Sequence, residues 1–264
     1  MKQAIKTSET GEDETKRTVA EIVSEIENGG EKTVKAYGEK LDGYSGDIIV
    51  GREEVEAAAK LVPEQLKKDL KFSYDRVRGF AEKQRESIKE FEIELSPGLW
   101  AGQKLIPIAT AGCYVPGGRY AHVASAIMSI STAKVAGVET IIACSAPNKE
   151  HGGIHPAILY TMDMCGADHI LTLGGVQGVA AMAYGLFTGH KANILVGPGN
   201  RFVSEAKRML FGQVGIDLFA GPGGLSEGFS SLYYKSERLF DILFLFVMND
   251  SFFYVQKSKR VYLH

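Results

Sequence analysis

The sequence predicts an α/β fold built on a parallel sheet and preceded by a charged helical segment. Two observations predict it. Residues 1–100 hold 17 basic and 22 acidic residues, whereas residues 101–222 hold only 8 and 6 but carry 18 of the 30 glycines. In this second segment, short apolar runs alternate with helical stretches of small residues, a pattern typical of parallel strands covered by helices on both faces.

Four helices are predicted in the charged segment, because apolar residues recur there every three or four positions. Asn28-Gly29-Gly30 is expected to end the first helix, and Asp42-Gly43 the second. We interpret the many charges as solvated helix faces rather than as a binding surface. The predicted helices are 15–27, 31–41, 53–60 and 64–87.

The glycine-rich segment predicts strands separated by helices long enough to cross over a sheet. The predicted strands are 140–145, 169–173 and 193–196. The predicted helices are 122–137, 154–165, 176–187 and 201–211. The alternation of strands and helices indicates a Rossmann-like layout, in which the crossover connections are expected to be right-handed.

Glycine-rich turns stand where three strands are expected to end and helices to begin. Glycine lets the backbone approach a ligand closely, and a helix N-terminus offers N–H groups to a phosphate. Tyr114, Gln177 and Asn200 are the polar side chains of these turns and are candidates to contact ribose, nicotinamide or adenine. None of the turns is a G-x-G-x-x-G, so a nucleotide site and glycines that serve only turn geometry stay as two alternatives. The three turns are 113–118, 173–178 and 196–200.

Composition excludes several classes of protein. The formal net charge of −2 argues against a general nucleic-acid binder, and three cysteines argue for a reducing compartment. The sequence opens on polar residues, and its longest apolar run, 239–248, is too short to span a bilayer. We therefore expect a cytoplasmic protein that binds neither nucleic acid nor membrane.

Histidine and cysteine spacing gives no site of its own. His151 and His155 flank a Gly-Gly loop, so they make a poor metal site, and surface histidines are the simpler interpretation. Cys144 is expected to be a small core residue. Cys113 has no evident basic partner to activate it, so a thiol mechanism is not predicted.

Several motifs together carry a resemblance to a known family. The motifs are 112–118, 133–138, 174–177, 197–200, 207–212, 214–217 and 220–222. In order and spacing over residues 15–222, they resemble the histidinol dehydrogenase family. The resemblance implies an NAD-dependent, zinc-requiring dehydrogenase that oxidises an alcohol through the aldehyde to the carboxylic acid. It also implies that Tyr114, Gln177 and Asn200 match the family's NAD-contacting positions.

Within the family, residues 118–126 look most similar to the branch that oxidises 2,3-dihydroxypropane-1-sulfonate to sulfolactate. Arg119 is suited to an anionic group there, because its guanidinium can clamp a sulfonate or phosphate; the alternative is a solvated residue at a helix start. Oxidation of L-histidinol to L-histidine is the alternative reaction. A catalytically dead NAD-binding fragment or interaction protein is the alternative from another class.

The resemblance stops at Pro222, where the family continues with Ser-Glu and this sequence has Gly223-Gly224. In the family, the zinc ligands, the substrate-binding serine and the Glu-His acid-base pair lie downstream. We therefore assign no catalytic and no metal-binding residue. The sequence is expected to be truncated or frame-shifted after Pro222, and thus to present an NAD surface without turnover; a natural tail that covers an apolar face or a partner is the alternative.

The family plan also implies a domain organisation. Residues 1–112 are expected to form the N-terminal part of an incomplete larger α/β domain, residues 113–222 a Rossmann-like NAD-binding domain, and residues 223–264 a divergent tail with 10 of the 25 aromatic residues. In that tail, the apolar run 240–247 is prone to form a strand. The resemblance also implies an intertwined homodimer. That assembly uses the C-terminal part of the family's chain, so it is not expected here.

Overall fold

The computed structural model describes residues 9–117, 121–217 and 251–257. The helices are α1 (Glu9–Tyr37), α2 (Arg52–Leu61), α3 (Glu64–Ser87), α4 (Val123–Ala136), α5 (Pro156–Cys165), α6 (Gly175–Tyr184) and α7 (Arg201–Leu210). The strands are β1 (Phe91–Ser96), β2 (Leu99–Leu105), β3 (Thr110–Tyr114), β4 (Thr140–Ser145), β5 (His169–Thr172), β6 (Ile194–Val196), β7 (Gly215–Ile216) and β8 (Ser251–Lys257).

Strands β3 to β7 form one parallel sheet in the order β5-β4-β3-β6-β7. The first of these strands lies at the centre, the chain runs outward through β4 and β5, and it then returns to the other side of β3 to add β6 and β7. In chain order this is 3-2-1-4-5, the first five strands of the order of a doubly wound nucleotide-binding fold. All residues of β3 and β6 are buried, as expected of apolar strands covered on both faces. The predicted parallel α/β fold is confirmed.

Helices from the charged segment and from the glycine-rich segment cover the sheet together. On one face, α1 packs against α6 and α7, and Val19, Ile26 and Met182 share one apolar core. On the other face, α2 packs against α5 and α3 against α4, around a second core that includes Ile127 and Ile158. Helices of the first segment therefore pack on the helices that cover the parallel sheet and share their apolar cores. The division into domains at residue 112 is not tested by this packing and stays a prediction.

The predicted helices of the charged segment are mostly confirmed. α2 and α3 lie within one residue of their predicted bounds. The expected break at residues 28–30 is a kink rather than an end, because only Gly30 leaves the helical conformation, with φ 61° and ψ −147°. Beyond α1 the chain makes a π-helical turn, Gly38–Asp42, and the predicted stop follows at Gly43 in a left-handed conformation.

The first segment also contains strands, although the sequence pattern predicts only helices there. β1 and β2 form an antiparallel hairpin, and β8 pairs antiparallel with β2 on its other side. Apolar and acidic residues alternate along β1, with Phe91, Ile93 and Leu95 on one face, and this period of two is the signal for a strand. Apart from β8, the tail from Gly223 lies outside the described residues, as does its predicted strand-forming run 240–247.

None of the helices in the described ranges is both long enough and apolar enough to cross a lipid bilayer.

Candidate functional site

The order of the parallel strands marks one place for a ligand. Between β3 and β6 the chain changes direction across the sheet, so the connections after these strands lead to opposite faces and leave a crevice at the carboxyl edge. The three glycine-rich turns of the sequence follow β3, β5 and β6, and all of them reach this edge. The candidate site is therefore the carboxyl edge of the parallel sheet, made by residues 114–117, 173–178 and 196–200.

Tyr114 links the first two turns. Its hydroxyl accepts a hydrogen bond from the Gly175 N–H, at the start of α6, at 3.1 Å. The residue is only 6% exposed, and burial raises the pKa of its hydroxyl, so the group stays protonated. A protonated hydroxyl that already accepts one bond still has its own hydrogen to donate.

Gln177 lies in the first turn of α6 and is 1% exposed. Its Nε2 donates to Asp42 Oδ2 at 2.8 Å, and the Gly174 N–H donates to the same oxygen at 3.3 Å. The other side-chain atom, Oε1, is buried and has no hydrogen-bond partner in the described structure. Buried polar atoms are nearly always paired in folded proteins, so this acceptor lacks the partner that its burial requires.

Asp42 is not among the residues that the sequence predicts for the site. It ends the π-helical turn after α1, far from Gln177 along the chain, and the fold brings it to the crevice half-buried. Burial raises the pKa of its carboxyl, while the bonds from Gln177 and Gly174 act in the opposite direction. No local motif surrounds Asp42 in the sequence, so only the tertiary packing of α1 on α6 reveals it.

Asn200 caps α7. Its Oδ1 accepts hydrogen bonds from the backbone N–H groups of Phe202 at 3.0 Å and Val203 at 3.1 Å. Asn is among the preferred residues for this position, because its side chain satisfies N–H groups that the helix leaves unpaired. With Oδ1 engaged in this way, the exposed NH2 group of Asn200 is the part that can donate to a ligand.

The third turn lies directly on the first. Gly197 has φ 116°, and a Cβ atom at this position would lie 2.0 Å from the Tyr114 carbonyl oxygen. Only glycine permits both this backbone conformation and this close approach. The sequence-predicted residues Tyr114, Gln177 and Asn200 thus belong to three turns that meet at one edge.

A buried ion pair holds the third turn from below. Lys207 and Asp217, which are 3% and 7% exposed, pair with each other, and each also bonds to the backbone of Gly197. The Gly197 N–H donates to Asp217 Oδ2 at 2.7 Å, and Lys207 Nζ donates to the Gly197 carbonyl oxygen at 3.0 Å. Both residues stand in the motifs of the sequence analysis, which give them no role. Lys207 does carry a signal, because it stands on the apolar face of α7 beside Val203 and Leu210.

The described cysteines and histidines form no second site. Burial raises the pKa of the Cys113 and Cys165 thiols to about 12 and raises that of Cys144 further, so all three thiols are protonated and unreactive near neutral pH. His155 Nδ1 accepts a hydrogen bond from the Ala157 N–H and caps α5. Within residues 9–117, 121–217 and 251–257, no three His, Cys, Asp or Glu side chains come together as metal ligands.

Two residues of the sequence analysis cannot be placed relative to this edge. Arg119, the candidate partner of an anionic group, lies outside the described residues, and so does Pro222, where the family motifs stop. The described chain resumes before α4, whose first turn carries no acidic residue and no side-chain cap.

Comparison with known proteins identifies one family. The sequence profile described as "Histidinol dehydrogenase" matches residues 5–226. A Pelagibacter ubique protein named "Histidinol dehydrogenase homolog" is 56% identical over 84% of this chain and 52% of its own length. The Ruegeria pomeroyi "Sulfopropanediol 3-dehydrogenase" is 54% identical over 84% of this chain and 51% of its own length.

A solved structure supports the same assignment of the fold. The crystal structure of histidinol dehydrogenase from Elizabethkingia anophelis superposes with a TM-score of 0.76 at 31% identity, covering 84% of this chain and 50% of that one. The chain therefore spans about half the length of the relatives it matches.

Proposed function

The chain belongs to the histidinol dehydrogenase family, and on that premise we propose that it binds NAD at the carboxyl edge of its parallel sheet, as the cofactor-binding part of an alcohol dehydrogenase. One observation carries the proposal. Gln177 Oε1 is a buried acceptor without a partner in the described structure, and it lies where a doubly wound sheet takes its ligand. A dinucleotide supplies hydrogen-bond donors at both of its ends and fits such a place.

The residues present suit a dinucleotide chemically. We assign its hydrogen-bonding contacts to the Tyr114 hydroxyl, the Gln177 carbonyl and the Asn200 NH2 group, which offer a donor, an acceptor and a donor. The N-terminus of α4 follows β3, and its first turn carries no acidic residue, so it suits the pyrophosphate. Burial of Tyr114 and Gln177 keeps water away from these contacts.

The reaction class follows from the family. When bound, NAD accepts the hydride that leaves the alcohol carbon. The described residues bind and orient the dinucleotide; they include no group of metal ligands, so zinc does not fit the described part of the chain and no step is derived through it. The chain spans about half the length of its relatives, and we propose that its dinucleotide site serves the oxidation of an alcohol to the carboxylate.

We infer that the alcohol is 2,3-dihydroxypropane-1-sulfonate, with sulfolactate as the product, rather than L-histidinol. The support is a difference in similarity. The protein named sulfopropanediol 3-dehydrogenase is 54% identical to this chain, whereas the Methanococcus maripaludis protein named histidinol dehydrogenase is 40% identical. The guanidinium of Arg119 is the proposed partner of the sulfonate.

Calorimetric titration of the 264-residue chain with NAD tests the proposed function. We expect saturable binding of NAD and no stoichiometric binding of zinc. The variant Gln177→Met removes the acceptor while keeping the side-chain length, and we expect it to weaken NAD binding roughly tenfold, the equivalent of about one hydrogen bond to a buried group. Repeating the titration with sulfopropanediol or L-histidinol present compares the two alcohols.

The matched control is Gln65→Met on α3, where the glutamine is exposed and donates a hydrogen bond to Asp69. This control is expected to bind NAD as the parent chain does. Absence of NAD binding by the parent chain, or equal affinity in the Gln177 and Gln65 variants, would contradict the proposed function.

A further inference from the structure

Asp42 determines which way the Gln177 side chain faces. An ionised carboxylate can only accept hydrogen bonds, so the half of the Gln177 amide that meets Asp42 Oδ2 at 2.8 Å must be the NH2 group. The backbone N–H of Gly174 reaches the same oxygen at 3.3 Å and holds the carboxylate in place. The carboxylate of Asp42 thus fixes the orientation of the Gln177 amide.

The opposite side of the amide is left as a bare acceptor. Gln177 Oε1 is buried, and no described residue donates to it. Gly175 fits closely against this amide: a Cβ atom there would lie 3.1 Å from Oε1 and 3.6 Å from Nε2. Gly175 also has φ 54°, a left-handed conformation that other residues rarely adopt. The glycine thus lets the Gln177 amide lie directly against the backbone at the start of α6, with Oε1 still unpaired.

We propose that Asp42 is a positioning residue that presents Gln177 to the dinucleotide as a hydrogen-bond acceptor, and that the dinucleotide group at Gln177 is an amino-group donor. The inference rests on the proposed NAD site and adds to it a residue from the N-terminal helical segment. NAD carries two such groups, the carboxamide NH2 of nicotinamide and the amino group of adenine. The fixed orientation selects for a donor; a ribose hydroxyl can donate as well, and the analogues below test whether the donor is an amino group.

The energetic reason is the cost of an unpaired buried group. With Asp42 in place, an amino group of the ligand satisfies Oε1. With a ligand that presents an acceptor or a methyl group there instead, Oε1 stays buried and unpaired, which lowers affinity roughly tenfold or more. Without the carboxylate, the amide is able to turn, and the site loses this preference.

The test compares dissociation constants for NAD and two analogues, measured by calorimetry on the full chain. Nicotinamide hypoxanthine dinucleotide replaces the adenine amino group by a carbonyl, and 3-acetylpyridine adenine dinucleotide replaces the carboxamide NH2 by a methyl group. We expect the parent chain to bind NAD roughly tenfold more tightly than one of the two analogues, and that analogue identifies the end of NAD that lies at Gln177.

The variant Asp42→Asn is expected to bind NAD roughly tenfold more weakly and to lose the preference over that analogue, because the newly introduced amide can donate to Gln177 Oε1 and turn the glutamine amide around. A merely structural role for Asp42 would weaken the binding of NAD and the analogue equally and leave their ratio unchanged. Asp47→Asn is the matched control, since Asp47 is exposed in the following loop. It is expected to keep both the affinity and the ratio.

Asp42→Ala, which removes the acceptor without adding a donor, is measured in parallel in case Asp42→Asn does not fold. A parent chain that binds NAD and both analogues equally overturns the inference, and so does an unchanged ratio in whichever Asp42 variant folds. A parent chain that does not bind NAD at all contradicts the proposed function instead, so the two failures are distinguishable.

Discussion

Replacing Asp217 by Asn is expected to lower the free energy of unfolding by about 3–5 kcal/mol. The substitution keeps the size of the side chain but leaves the Lys207 ammonium buried without its counter-charge, in a place where Lys207 is only 3% exposed. It also weakens the acceptor for the Gly197 N–H, so one of the two hydrogen bonds that fix the Gly197 backbone after β6 becomes weaker. Urea unfolding of both chains with linear extrapolation measures the difference.

Two further variants make this result specific. Asp75→Asn on α3 makes the same chemical change in an exposed pair with Lys71, and is expected to cost less than about 1 kcal/mol. The double variant Lys207→Met with Asp217→Asn leaves neither charge buried alone, so it is expected to be less destabilised than the sum of the two single variants. Equal losses in the Asp217 and Asp75 variants, or additive losses in the double variant, would contradict the role given to the buried pair.

Replacing Gly197 by Ala is expected to have the second largest effect, on both stability and NAD affinity. A left-handed backbone costs a residue with a side chain about 1–2 kcal/mol. At this position the new Cβ atom also meets the Tyr114 carbonyl oxygen at 2.0 Å, so the end of β3 or the turn after β6 must move. Since these two segments form the proposed site, NAD binding is expected to be lost together with the packing. Chemical denaturation and NAD titration measure the two effects.

Two other glycines separate strain from the close contact. Gly152 has φ 67° but open space around the added atom, so Gly152→Ala reports the backbone strain alone. Gly51 has φ −82° and open space, so Gly51→Ala is expected to change stability by about 1 kcal/mol or less. Both controls are expected to keep their NAD affinity. If Gly197→Ala behaves like Gly152→Ala in both measurements, the close packing of the two turns does not matter to binding.

The parallel sheet is predictable from the sequence because its strands are short apolar runs bounded by turn residues. β4, for example, has the predicted bounds, and β5 and β6 differ from prediction by one residue. The hairpin of β1 and β2 escapes prediction because it lies in a segment whose charges and helical periodicity dominate the average. Apolar residues alternate with glutamates along β1, and this local period of two specifies a strand although the sequence before it is helical.

The site is only partly predictable, for a physical reason. Tyr114, Gln177 and Asn200 stand in glycine-rich turns, and turns after parallel strands meet at one edge whatever the details of packing. Asp42 reaches Gln177 across 135 positions of the chain, through the packing of α1 on α6, and no spacing in the sequence encodes that contact. Lys207 and Asp217 are intermediate, because a charge on the apolar face of a helix indicates a buried partner without saying which residue it is.

The most direct test of the account is hydrogen–deuterium exchange of the full chain with and without saturating NAD. We predict slower exchange of backbone amides in the peptides that contain residues 114–117, 174–178 and 197–200, because a bound dinucleotide covers or rigidifies these turns. Helices α2 and α3, which contribute no residue to the proposed site, are expected to exchange at unchanged rates. Unchanged exchange in all three turns at saturating NAD, or slower exchange confined to α2 and α3, would contradict the claim that the carboxyl edge of the parallel sheet is the NAD site.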